Sequence, residues 1–117
     1  MKKFVILVLA DVTEGAKALH GLLYAQELHE AGHRVQVIFD GAGTAWIQRF
    51  EDPENKYNPL YRAVKNLGVI AGACEYCAGA FGVSDSVQQS GVQKLGEVQG
   101  HPSLAKLVAE DYQIITL

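Results

Sequence analysis

Apolar positions follow two rhythms along this chain. Residues 4–10 read FVILVLA, an unbroken aliphatic run of the kind a strand buried on both faces requires. From residue 14 to about 31 the period lengthens, and Ala18, Leu19, Leu22, Ala25 and Leu28 form one stripe at helical spacing. Thr13 is placed to cap this helix, Glu14 suits its first turn, and Gly32 ends it in a left-handed turn. Residues 34–39, RVQVIF, start by alternating and finish with a buried pair, which predicts a second strand. Strand, long helix and strand make a βαβ unit, and its two strands must pair in parallel.

The alternation continues to the end of the chain. Asp40-Gly-Ala-Gly-Thr44 closes the second strand, and residues 45–50 are helical, with Trp46 and Phe50 on one face. Residues 51–58 are polar, contain Pro53 and form a loop, after which Asn58 and Pro59 supply the cap and first turn of a helix to about Leu67. Gly68 stops it, and residues 69–73 make a third strand. A short helix follows to Gly82; Ser84 caps another to about Ser90, and Gly91 stops it. Residues 92–98 predict a fourth short strand despite Gly96, 103–110 a helix after Pro102, and 113–117 the last strand. The pattern is that of an α/β protein with three layers, α/β/α, around a mostly parallel five-stranded sheet. With 117 residues and no repeat, low-complexity tract or dividing linker, the expectation is a single domain over 1–117.

Composition removes several function classes. The formal net charge is −3, so there is no basic excess to neutralise phosphates, and nucleic acid is not an expected partner. Lys56, Arg62 and Lys65 cluster locally, as expected of a solvated helix face. The opening MKKFVILVLA resembles a signal peptide only superficially: the apolar run is short, Asp11 ends it, and no small-residue cleavage site follows. No stretch approaches the ~20 apolar residues of a membrane helix, so no membrane partner is expected. A cytoplasmic location follows, where thiols stay reduced.

Against that background the chain's only cysteines, Cys74 and Cys77, stand within one helical turn in GACEYCAGAFG. Ligands and chemistry in an open parallel sheet lie beyond the carboxyl ends of the strands. Residues 11–15, 40–44 and 73–77 all lie there. Cys74 falls where the third strand gives way to a helix, and free N–H groups at such a place favour a thiolate. Glu75 opposes this unless it points away. Four readings compete. A structural zinc wants four Cys or His ligands, but there is no second CxxC, and His20, His29, His33 and His101 are scattered; zinc between subunits stays open. A dithiol oxidoreductase fits the CxxC placement but lacks the tryptophan-flanked surroundings of thioredoxins. A single reactive thiol with a helper beside it is the third reading, and two small buried hydrophobes the fourth.

The other candidate positions have simpler explanations. Asp11, Thr13 and Glu14 border the crevice, where capping explains them, and Lys17 and His20 point away from it. The Asp40–Thr44 turn offers backbone N–H groups to an anion, although one G-x-G is a weak nucleotide signal. Tyr76 and Phe81 are candidates to shield the thiol. Trp46, Tyr57, Leu60 and Tyr61 are candidates to cover it or to pack against another subunit.

From Cys74 the sequence runs CEYCAGAFGV, a cysteine at a strand end, a small-residue helix, then glycine and an aliphatic residue. This resembles the DsrE/TusD-like (DsrE/DsrF) sulfur-relay family, as does the order of elements along nearly the whole chain. The resemblance implies a DsrE-like domain whose reactive cysteine is Cys74, by its spacing to Gly82 and Val83. It implies a sulfurtransferase-like persulfide carrier exchanging sulfane sulfur with donor and acceptor proteins or small sulfane-sulfur compounds. It also implies a homo-oligomer, trimer or hexamer, and no cofactor. Cys77 is an addition to the family's pattern, and Phe81 stands where a basic residue often precedes the glycine. Cys77 offers a second step, attack on the persulfide. The alternatives are a non-catalytic scaffold or binding subunit and a CxxC dithiol oxidoreductase.

Overall fold

The computed structural model describes residues 1–117. Five strands make one sheet: β1 (Lys3–Val8), β2 (Arg34–Phe39), β3 (Ile70–Cys74), β4 (Lys94–Leu95) and β5 (Gln113–Thr116), in the order β4-β3-β2-β1-β5. Every pairing is parallel, from Lys3 opposite Arg34 through Val8 opposite Phe39, to Cys74 opposite Leu95. The helices are α1 (Gly15–Glu30), α2 (Ala45–Glu51), α3 (Asn58–Asn66), α4 (Glu75–Ala80), α5 (Ser84–Ser90) and α6 (Leu104–Ala109), and a 3-10 turn spans Gly41–Thr44. This is the α/β class that the alternation predicts.

The strand period of two divides the core. Ile6 and Val8 of β1 face a large cluster built with α1 through α5, while Val5 and Leu7 face a small one completed by Leu107 and Tyr112 at α6. In the large cluster Trp46 stacks on Phe50 at 5.1 Å and Phe50 on Tyr61 at 5.5 Å. Trp46 and Tyr61 therefore fill the chain's own core instead of covering a thiol or a subunit contact, and Tyr57 and Leu60 pack against the same cluster. The Tyr61 hydroxyl donates to Glu51 at 2.6 Å, and Lys65 reaches Glu51 at 2.8 Å and the Ser90 carbonyl at 2.6 Å. Lys65 thus ties α3 to α2 and α5 and is not part of a solvated face.

Boundaries shift where turn chemistry outweighs hydrophobic pattern. β1 ends at Val8 because the next two amides both turn to the Leu117 carbonyl. β4 keeps two residues of the expected seven: after Gly96 the chain folds on itself, with Val98 and His101 bridged antiparallel. Thr13 does not cap α1; its hydroxyl donates to Asp11 at 2.5 Å. Asn58 lies inside α3 and donates its amide to the Phe50 carbonyl at 2.7 Å. Ser84 is likewise helical and accepts from Lys94 at 2.9 Å.

Two glycines set how closely these segments approach. A Cβ at Gly43 would overlap the Val8 carbonyl oxygen, and one at Gly72 would stand 2.6 Å from that of Gln93. The first lets the turn after β2 lie against the end of β1, and the second lets the chain entering β4 lie against β3. Gly43→Ala should therefore lower unfolding stability by roughly 2–4 kcal/mol. Gly79→Ala, in α4 with nothing within 4 Å of its added methyl, should leave stability unchanged or raise it by up to ~1 kcal/mol. Urea unfolding of both variants checks the contrast, and equal effects would contradict it.

Candidate functional site

Cys74 is the last residue of β3 and the N-cap of α4, as its position before a small-residue helix predicts. Its side chain is fully buried, whereas Cys77, one turn further on, is half-buried. The Cys77 amide donates to the Cys74 sulfur at 3.5 Å, and the Cys74 thiol points to the Gly100 carbonyl oxygen at 3.7 Å. That same carbonyl accepts the Tyr76 amide at 2.8 Å. The turn between β4 and α6 therefore lies across the start of α4. Gly100 has φ +85, and a Cβ there would stand 3.2 Å from the Tyr76 Cβ, so glycine serves both the turn and the close approach.

Asp40 completes the group. It follows β2, the neighbour of β3, and its carboxylate and the two sulfurs all lie within 4.8 Å of one another. One carboxylate oxygen accepts the Gly41 amide at 2.8 Å. The sequence contains the residue, but hydrophobic pattern alone does not give strand order, and only the adjacency of β2 and β3 brings its carboxylate to the cysteines. Gly100 is also missed by sequence, since a fourth strand through residue 98 would have carried the chain past it.

The electrostatics run opposite to the expected thiolate. Burial pushes the Cys74 thiol up to about 12 from an ordinary 9.0, and the negative charge of Asp40 adds to this; the Cys77 amide pulls the other way and loses. Of the expected N–H groups the sulfur receives the Cys77 amide, while the Tyr76 amide is taken by the Gly100 carbonyl. Glu75 is not the cause: its carboxylate lies against Gly96, 3.3 Å from where a Cβ there would be.

The remaining candidates have other roles. Asp11 accepts from both the amide and hydroxyl of Thr13, which holds its carboxyl below the usual range. Lys17 pairs with Glu14 at 3.0 Å, and His20 contacts the Ala16 carbonyl at 2.7 Å. The Asp40–Thr44 turn is no anion cradle, since the Gly41 and Gly43 amides are bonded within it. Tyr76 and Phe81 are 69% and 51% exposed, so they do not shield Cys74. His101 holds the turn through its bridge to Val98. A cavity of about 390 Å³ lies on the α6 face, lined by residues such as Gln36, Ile38, Lys106 and Leu107, and contains neither cysteine.

The fold is a parallel α/β sheet with a buried thiol, a half-buried thiol and a carboxylate gathered at the carboxyl end of its strands. The profile of the DsrE/DsrF-like family matches residues 2–117, and the chain belongs to that family. It is 33% identical over 100 residues to an uncharacterized protein of Methanocaldococcus jannaschii, a match covering 85% of this chain and 78% of that protein. No solved structure matches. Family membership supports a sulfur-relay-related role in general. No helix is long and apolar enough to cross a membrane.

Two outcomes follow from the raised thiol. At pH 8, iodoacetamide should alkylate Cys74 about a thousandfold more slowly in the folded chain than in the unfolded one, by thiolate fraction alone. A difference under tenfold, read by peptide mass, contradicts the burial account. The folded chain also keeps a proton that the unfolded chain releases above pH 9.0, so stability falls as pH rises from there toward about 12. Tyr61, also pushed up, adds to the slope. The Cys74 share is the difference between wild type and Cys74→Ala in unfolding measured across that range.

Proposed function

We propose that this protein carries sulfane sulfur as a persulfide on Cys74, assisted by Cys77. The reading is supported most by the placement of Cys74: it ends a strand at the carboxyl edge of the sheet, in a chain of the DsrE/DsrF-like family, with a backbone N–H on its sulfur. A donor persulfide R–S–SH transfers its outer sulfur to the Cys74 thiol, giving Cys74–S–SH and R–SH. The Cys77 amide then lies where it can donate to the loaded sulfur. In this reading residues 1–117 act as a single domain within a cytoplasmic homo-oligomer, trimer or hexamer. Sulfur passes between donor and acceptor proteins or small sulfane-sulfur compounds.

The covered state sets the order of events. A thiol that is buried and protonated does not attack a donor, so loading requires residues 96–102 to move and release the Gly100 carbonyl from Tyr76 and Cys74. Docking of a donor at the exposed Tyr76 and Phe81 is the natural trigger. Cys77 allows a second step, in which its thiol attacks Cys74–S–SH, forms the Cys74–Cys77 disulfide and releases hydrogen sulfide. Two equivalents of an external thiol then reduce this disulfide to both cysteines and leave as their own disulfide.

Intact mass after incubation with a sulfane-sulfur donor tests the carrier. Cys77→Ser should gain and keep one sulfur, wild type should gain one on brief loading, and Cys74→Ser none. A gain retained in Cys74→Ser contradicts the assignment. No gain in any form, with both thiols inert until unfolding, favours a scaffold instead. If Cys77→Ser releases as much sulfide as wild type, the second step is wrong.

A further inference from the structure

We propose that Asp40, Cys74 and Cys77 form a binding site for one thiophilic divalent cation of the zinc type, within a single chain. The three ligands come from the end of β2, the end of β3 and the first turn of α4. Their ligand atoms, one carboxylate oxygen and two sulfurs, already lie within 4.8 Å of one another. Zinc bonds of ~2.3 Å to sulfur and ~2.0–2.2 Å to oxygen, at tetrahedral angles, place ligand atoms about 3.5–3.8 Å apart. Closing from the observed spacing takes shifts of about an ångström, which the half-buried Asp40 and Cys77 side chains can make.

Three further features favour a cation here. The cluster consists of one carboxylate and two thiols, and no basic side chain belongs to it. Lys17, Lys65 and Lys94 are engaged elsewhere, with Glu14, Glu51 and Ser84. Two of the ligands are also held in place by backbone N–H groups, Asp40 by Gly41 at 2.8 Å and Cys74 by Cys77 at 3.5 Å, the kind of support that orients metal ligands.

Cysteine and histidine alone leave a zinc ion here two protein ligands. The third ligand is a carboxylate that strand order supplies, and the fourth position is left to water or an external thiol. Three protein ligands with one open position is the arrangement of zinc sites that exchange ligands, in contrast to closed structural sites. On binding, each thiol gives its proton to solvent, two protons per ion. Asp40 and two thiolates around a divalent cation leave one net negative charge, and no electron is transferred. The site rests on the geometry of the cluster and stands whether or not Cys74 carries sulfur.

The reduced full-length chain is titrated with Cd²⁺, read by sulfur-to-cadmium ultraviolet absorption, and with Zn²⁺ against a chromophoric chelator. One ion per chain is expected. Asp40→Asn should weaken Zn²⁺ binding roughly tenfold or more while keeping the cadmium–sulfur band, and Cys77→Ser should weaken it further and reduce the band. Because variants can disturb folding, wild type supplies its own readout: Zn²⁺ should slow alkylation of Cys77 at least tenfold. No retained ion, an ion shared between chains, Asp40→Asn binding as tightly as wild type, or unprotected Cys77 would each overturn the site.

Discussion

The carbonyl of Gly100 governs the cysteine end of this molecule. It accepts the Tyr76 amide at 2.8 Å and faces the Cys74 thiol at 3.7 Å, so one backbone oxygen caps α4 and covers the sulfur together. An open strand end would have left free N–H groups and water around Cys74, both of which favour a thiolate. With Gly100 in place the sulfur is dry, and the strongest remaining charge is the carboxylate of Asp40. In this covered arrangement the thiol is kept protonated, and in the proposed relay movement of residues 96–102 is what would release it.

That arrangement depends on tight packing elsewhere at the same edge. The turn after β2 can bring Asp40 toward the cysteines because Gly43 lies against the Val8 carbonyl. Gly72 similarly admits the chain entering β4, and that chain leads straight into the covering turn. Beneath, the stack of Trp46, Phe50 and Tyr61 and the contacts of Lys65 with Glu51 and the Ser90 carbonyl hold α2, α3 and α5 together.

Much of this was legible in the sequence. The run 4–10, the stripe through Ala18, Leu22 and Ala25, and the glycines at 32, 68, 82 and 91 mark the alternation, because parallel strands and one-sided helices impose periods that survive in any such chain. Cys74 at a strand end was legible for the same reason. Cap assignments at Thr13, Asn58 and Ser84 were not, since each side chain found a nearer or better acceptor or donor. Strand order was not legible either, and with it went the proximity of Asp40 to the thiols. The raised thiol escaped because a fourth strand through residue 98 hides the turn that buries it. Local chemistry reads well from sequence; contacts made across the sheet edge by irregular chain do not.

The two proposals share one geometry. A relayed sulfur and a thiophilic cation would each occupy the Cys74 sulfur, so the two states would exclude one another. The relay is the central claim, and it depends on which sulfur atom is modified. The most direct measurement is therefore peptide-level mapping of the added sulfur in the wild-type chain, after brief loading and blocking of free thiols. The account predicts the extra sulfur on Cys74 with Cys77 blocked as a free thiol. An extra sulfur on Cys77, with Cys74 unmodified and still buried, would contradict it.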